Sequence, residues 1–219
     1  MIRVTACVIL LLAATSVWSA EGKLTAVKSP PAGLSDAVKA ALAPTGQQVS
    51  ADGAAVCTVW LAKSLAVKDG FKPSSTVKYP FTPGQFIGVM LVEKKSEFTD
   101  FRGQEVAAGA YTLRYGQQPV DGNHVGTSEL YDFLLAVPAA TDADPAAIKT
   151  PEDLFKRSAK TAGSNHPAIY SLLPPAAEAQ AAAIEHDSGK EYWILTVLGQ
   201  DAAGKAIPMK LIVVGKSEA

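Results

Sequence analysis

The chain holds two cysteines in 219 residues, Cys7 and Cys57, too few for a disulfide-stapled scaffold. It has no excess of either charge: 20 basic residues stand against 21 acidic ones, and no stretch gathers lysine and arginine. The electrostatic footprint of a nucleic-acid-binding surface is therefore missing. Beyond the first twenty residues, no apolar run is long enough to cross a membrane as a helix. Nor does any motif of known chemistry occur. There is no G-x-S-x-G elbow, no H-E-x-x-H, no C-x-x-C, no phosphate loop and no G-x-G-x-x-G. Neither Asn123 nor Asn165 begins a glycosylation sequon.

What is present begins with a leader. Arg3 supplies a short positive start, residues 4–14 are apolar, and Val17-Trp18-Ser19-Ala20 offers small residues at a cleavage point. This layout predicts a secretory signal peptide over residues 1–19, with a cut after Ser19 rather than after Ala20. Two alternatives remain: acylation of Cys7 within Val4-Thr5-Ala6-Cys7, and an uncleaved anchor. The mature chain is then expected to be exported, to the periplasm or beyond the cell. Removal of the leader leaves Cys57 alone, and apolar i±2 neighbours Ala55, Val59 and Leu61 predict that it is buried.

Residues 20–219 read as a single domain: a lead-in and short helix over 20–46, then β-structure over 47–219. The lead-in at 21–33 is polar and carries Pro30-Pro31. Ser35 suits the cap of a helix over 36–43, and Thr150-Pro151-Glu152-Asp153 starts a second one that ends by Gly163. Strands at 47–51 and 54–61 flank Asp52-Gly53, a strong hairpin signal. Further strands are expected at 86–92, 98–101, 110–115, 131–137, 168–173, 191–198 and 207–214. Residues 63–84 read as loop with one edge strand at 76–79, and residues 176–183 suit a helical turn or a strand equally. In 110–115, Tyr111, Leu113 and Tyr115 share one face, which sets Thr112 and Arg114 on the other, with Arg114 expected as an exposed sheet residue rather than a substrate clamp. The segment 191–198 is apolar on both faces and predicts a central strand covered on both sides. The expectation is a mainly β protein, an antiparallel β-sandwich with two short marginal α-helices.

The phrase Gly103-Gln104-Glu105-Val106-Ala107-Ala108-Gly109-Ala110-Tyr111-Thr112-Leu113 resembles a strand–turn–strand found in uncharacterised exported bacterial β-sandwich proteins of the DUF2911 type. It is also similar to that of transthyretin-like and carboxypeptidase-regulatory-like modules. It departs from the pattern at Ala107, where such phrases carry proline. The resemblance spans about a dozen residues, implies a β-sandwich and brings no catalytic residue.

The candidate site residues sit in polar loops. Asp121, Asn123 and His124 lie in the glycine-rich loop 117–129; Asn165 and His166 follow the second helix. The first expectation is a non-enzymatic domain that binds a protein, an envelope component or a small ligand through these loops and needs no cofactor. A second reading takes His124, His166 and Asp121 as ligands of zinc or copper, in a metal-binding protein or metal-dependent hydrolase. A third is a structural component of envelope assembly. Tyr79, Phe81, Phe98 and Phe101 could form a carbohydrate platform, although scattered aromatics usually belong to a core.

Overall fold

The computed structural model describes residues 21–93, 97–119, 128 and 130–217. Among these described residues the chain is mainly β, with ten antiparallel strands and two short helices. They are β1 (Gly22–Val27), α1 (Asp36–Ala41), β2 (Gly46–Ala51), β3 (Ala54–Leu61), β4 (Phe86–Val92) and β5 (Gly109–Gln117). Then come β6 (Asp132–Pro138), α2 (Pro151–Ala159), β7 (Ala168–Leu173), β8 (Ala183–Asp187), β9 (Tyr192–Gln200) and β10 (Ala206–Val214).

Where a sandwich of two facing sheets was expected, the strands form one sheet in the order β1-β2-β3-β4-β5-β6-β7-β10-β9-β8. The joint is β7. Its first part pairs with β6 through Ala168 to Ser171, and its last two residues, Leu172 and Leu173, pair with β10. One strand thus belongs to both halves, and the sheet curls until β8 and β9 approach β1 and β2, nearly closing a barrel. Gly22 permits the approach: a Cβ there would stand 2.4 Å from the Trp193 ring and 3.1 Å from Ile184.

Two other expected strands change. The 98–101 segment makes only an isolated bridge, Thr99 to Glu105. The 76–79 edge strand is absent, because this stretch carries Tyr79 and Phe81 into the core instead. The Tyr79 and Phe81 rings stack at 5.8 Å, and Phe81 meets Tyr115 edge-on at 5.5 Å. Phe98 and Phe101 are buried too, so none of the four aromatics forms a surface platform. Conversely, the polar lead-in contains β1, and the ambiguous alanine-rich stretch ends in β8.

Alternation decides the layers. Tyr111 faces Met90, Leu113 faces Ala136, Tyr115 faces Leu134, Leu134 faces Tyr170, and Leu211 faces both Leu172 and Leu195. All of these belong to the larger apolar cluster enclosed by the sheet, together with Cys57, which is fully buried as its neighbours predicted. The opposite side chains of the same strands, Phe133, Leu135, Val137, Ile169, Ile194 and Ile212, form a second cluster on the outer face, covered by Leu154 of α2 and by Ile148. In β9, Trp193, Leu195 and Val197 join the first cluster while Tyr192 and Ile194 join the second, as its two-sided apolar pattern predicted.

Both helices form where their caps stand. Ser35 accepts the Val38 amide at 3.1 Å, and Thr150 accepts the Asp153 amide at 3.2 Å with Pro151 in the first turn. Arg114 reverses its expectation: it is wholly buried, under the segment 139–150. Its Nε and Nη2 donate to Asp142 at 2.8 and 3.0 Å, its Nη1 to the carbonyls of Ala146 and Gly84, and its Nη2 also to that of Asp144. All five guanidinium N–H groups therefore have acceptors. Gly84 adds a backbone fastening to the same segment, with φ +86 and space so tight that a Cβ would lie 1.8 Å from the Ile148 carbonyl oxygen.

Candidate binding cleft

On the outer face, β6 places Phe133 and Leu135 side by side, and β7 places Ile169 opposite Leu135. Phe155 of α2 leans against this cluster. These four side chains floor a cleft of about 360 Å³, within the size range of small-molecule sites. The rim is polar: Arg102, Gln117, Gln118, Asn165 and His166, with Pro119 and Pro167.

The rim is positioned by a buried carboxylate. Asp100 is fully buried and accepts the amides of Arg102 at 3.0 Å, Gln104 at 2.8 Å and Ile169 at 3.1 Å. It also accepts the Gln104 side-chain amide at 2.9 Å. Burial pushes its pKa above the ordinary carboxylate range, and these four hydrogen bonds oppose that rise. The Gln104 amide reaches on to the Pro167 carbonyl at 3.2 Å, and its oxygen accepts from Ser164. Ser164 in turn accepts the His166 amide at 3.0 Å. One aspartate therefore orders both the turn that bears Arg102 and the turn that bears Asn165 and His166. From the helix side, Ser158 accepts the Ala168 amide at 3.0 Å, and Thr161 donates to the Ala136 carbonyl at 2.9 Å. These bonds fasten both ends of the connection that carries the 164–167 turn.

The opposite wall begins where β5 ends. Gln117 donates to the Tyr115 hydroxyl at 2.9 Å, and that hydroxyl donates to buried Asp132 at 2.5 Å. Asp132 also accepts the Lys78 amide at 2.6 Å, which ties the 76–81 segment to the same strand ends. Burial raises the Asp132 pKa, opposed by the bonds from Tyr115 and from the Lys78 and Tyr79 amides.

Of the sequence candidates, Asn165 and His166 both line this cleft and are exposed. Asp121, Asn123 and His124 lie outside the described residues. The start of their loop, Gln117 to Pro119, forms the wall opposite Asn165 and His166. Among the described residues, no three His, Cys, Asp or Glu side chains gather as metal ligands. His186, the remaining described histidine, stacks on Trp193 at 4.6 Å with Nε2 3.3 Å from Glu191, away from the cleft. Sequence reasoning missed Arg102 and the four floor residues. Phe133, Leu135 and Ile169 had the strand periodicity of a core, Phe155 read as a core-facing helix residue, and Arg102 sat in what read as a plain turn. The one available signal was Asp100 followed at i+4 by Gln104, a pair able to close a side-chain-stabilised turn.

The chain matches no protein-family model, no curated protein and no solved structure.

Proposed function

We propose that the protein is an exported, non-enzymatic binding domain that holds a small, partly apolar molecule in the cleft between α2, the 164–167 turn and the end of β5. The observation that carries this reading is the combination of an apolar floor with convergent polar groups on a rim ordered by the buried Asp100. The lining of the hollow is largely apolar, so the apolar body of a ligand gains by leaving water there, and the rim amides supply direction. Export rests on the leader-like residues 1–19.

Native mass spectrometry of the protein recovered from the extracytoplasmic fraction of its own cells tests both parts. The expected result is a chain beginning at Ala20 that carries a small molecule. The same preparation of Asn165→Trp, a substitution on an exposed rim residue, is expected to lack that molecule because the new ring fills the cleft mouth. A wild-type protein retained in the cytosol with Met1 intact would overturn the export reading. Equal occupancy in wild type and Asn165→Trp would overturn the cleft.

A further inference from the structure

We propose that the cleft selects a monocarboxylate with an apolar body, its carboxylate held by Arg102 and its hydrocarbon lying on Phe133, Leu135, Phe155 and Ile169. The inference rests on the cleft being the ligand site and adds the charge of the ligand.

Among its described lining residues the cleft has one formal cation, Arg102, and no carboxylate. Gln117, Gln118, Asn165 and His166 complete the polar rim and can donate to an anionic oxygen. Arg102 differs from the other described arginines. Arg114 is bound to Asp142, and Arg157 grips Asp153 at 2.8 Å. The Arg102 guanidinium has no such acid partner among the described residues, while its backbone amide is fixed on Asp100. It is thus a half-buried fork on a rigid turn, free to make the paired bonds that a carboxylate accepts. The apolar floor sits within the same hollow, so head group and body are recognised together.

Isothermal titration of the purified protein with octanoate, octanol and octylamine tests this. These probes share an apolar body and differ in head-group charge. Octanoate is expected to bind about tenfold more tightly than either other probe, the scale of one charge-assisted hydrogen bond. Arg102→Gln should bring octanoate affinity down to the level of octanol, and Arg102→Lys should retain part of the preference. An octanol affinity equal to that of octanoate, or a preference that survives in Arg102→Gln, would overturn anion selection and leave the cleft as a ligand site. Failure of all three probes to bind would overturn both.

Discussion

Replacing Asp142 by alanine removes the acceptor that holds Arg114. Arg114 is fully buried and Asp142 is 2% exposed, so the pair is almost wholly withdrawn from water. Asp142→Ala leaves a buried guanidinium with two of its five donors orphaned, and deprives the Thr112 hydroxyl of the acceptor it reaches at 2.5 Å. Breaking a buried pair from one side costs about 3–5 kcal/mol, because a desolvated charge loses its counter-charge. Arg114→Met removes the other side and leaves the Asp142 carboxylate with Thr112 and with the more distant Arg157, at 3.9 Å. It also strips the Asp144 and Ala146 carbonyls of their side-chain donor and leaves the Gly84 carbonyl with the Ile148 amide. In the double variant neither charge of this pair remains, so its loss should fall short of the sum of the single losses by about 2 kcal/mol or more. Urea unfolding followed by far-ultraviolet circular dichroism measures all four corners of the cycle. For a chain of this size, the single variants should melt about 10 °C below wild type. A loss under about 1 kcal/mol for Asp142→Ala, or strict additivity in the cycle, would refute the reasoning.

Gly84→Ala should destabilise by at least about 2 kcal/mol, because it combines a left-handed φ with a backbone clash at Ile148; an unchanged urea midpoint would contradict this. Gly22→Val should force the barrel edges apart at Trp193 and shift the tryptophan emission to longer wavelength without loss of the far-ultraviolet signal. Asp132 has a folded pKa above its unfolded value, so its contribution to stability is full below the ordinary carboxylate value of about 3.9 and is lost as pH rises through the folded value. Wild type should therefore gain on Asp132→Asn as pH falls, read from urea midpoints across a pH series; a gain with rising pH would contradict this. Burial pushes the Cys57 thiol up to about 12, so in a Cys7→Ser background a thiol reagent at neutral pH should label the protein only as fast as it unfolds. Rapid labelling of the native protein would show Cys57 to be accessible.

Much of the strand plan was legible because local chemistry specified it. Asp52 and Gly53 take positive φ values of 49° and 81° and make the hairpin that their residue types announce. Ser35 and Thr150 cap the helices they were expected to cap. The course of the sheet was not legible. Its near-closure depends on Gly22 meeting Trp193, and on β7 dividing its pairing between β6 and β10, contacts between segments far apart in the chain. Arg114 shows the same limit from within one strand. Period two placed it opposite the inward-facing tyrosines, but only the distant segment 139–150 decides that this second face is covered. At the cleft, Asn165 and His166 stood out as polar loop residues. Arg102 became a partner to them only through Asp100 and Gln104, whose hydrogen bonds reach Pro167 and Ile169.

Intermolecular nuclear Overhauser effects between bound octanoate and isotope-labelled methyl groups test the central claim most directly. The Leu135 and Ile169 methyls in the cleft floor should show contacts with the octanoate chain, and the enclosed Leu113 and Leu172 methyls should show none. Contacts confined to other methyls, with Leu135 and Ile169 silent under saturating octanoate, would contradict the assignment of the cleft as the binding site.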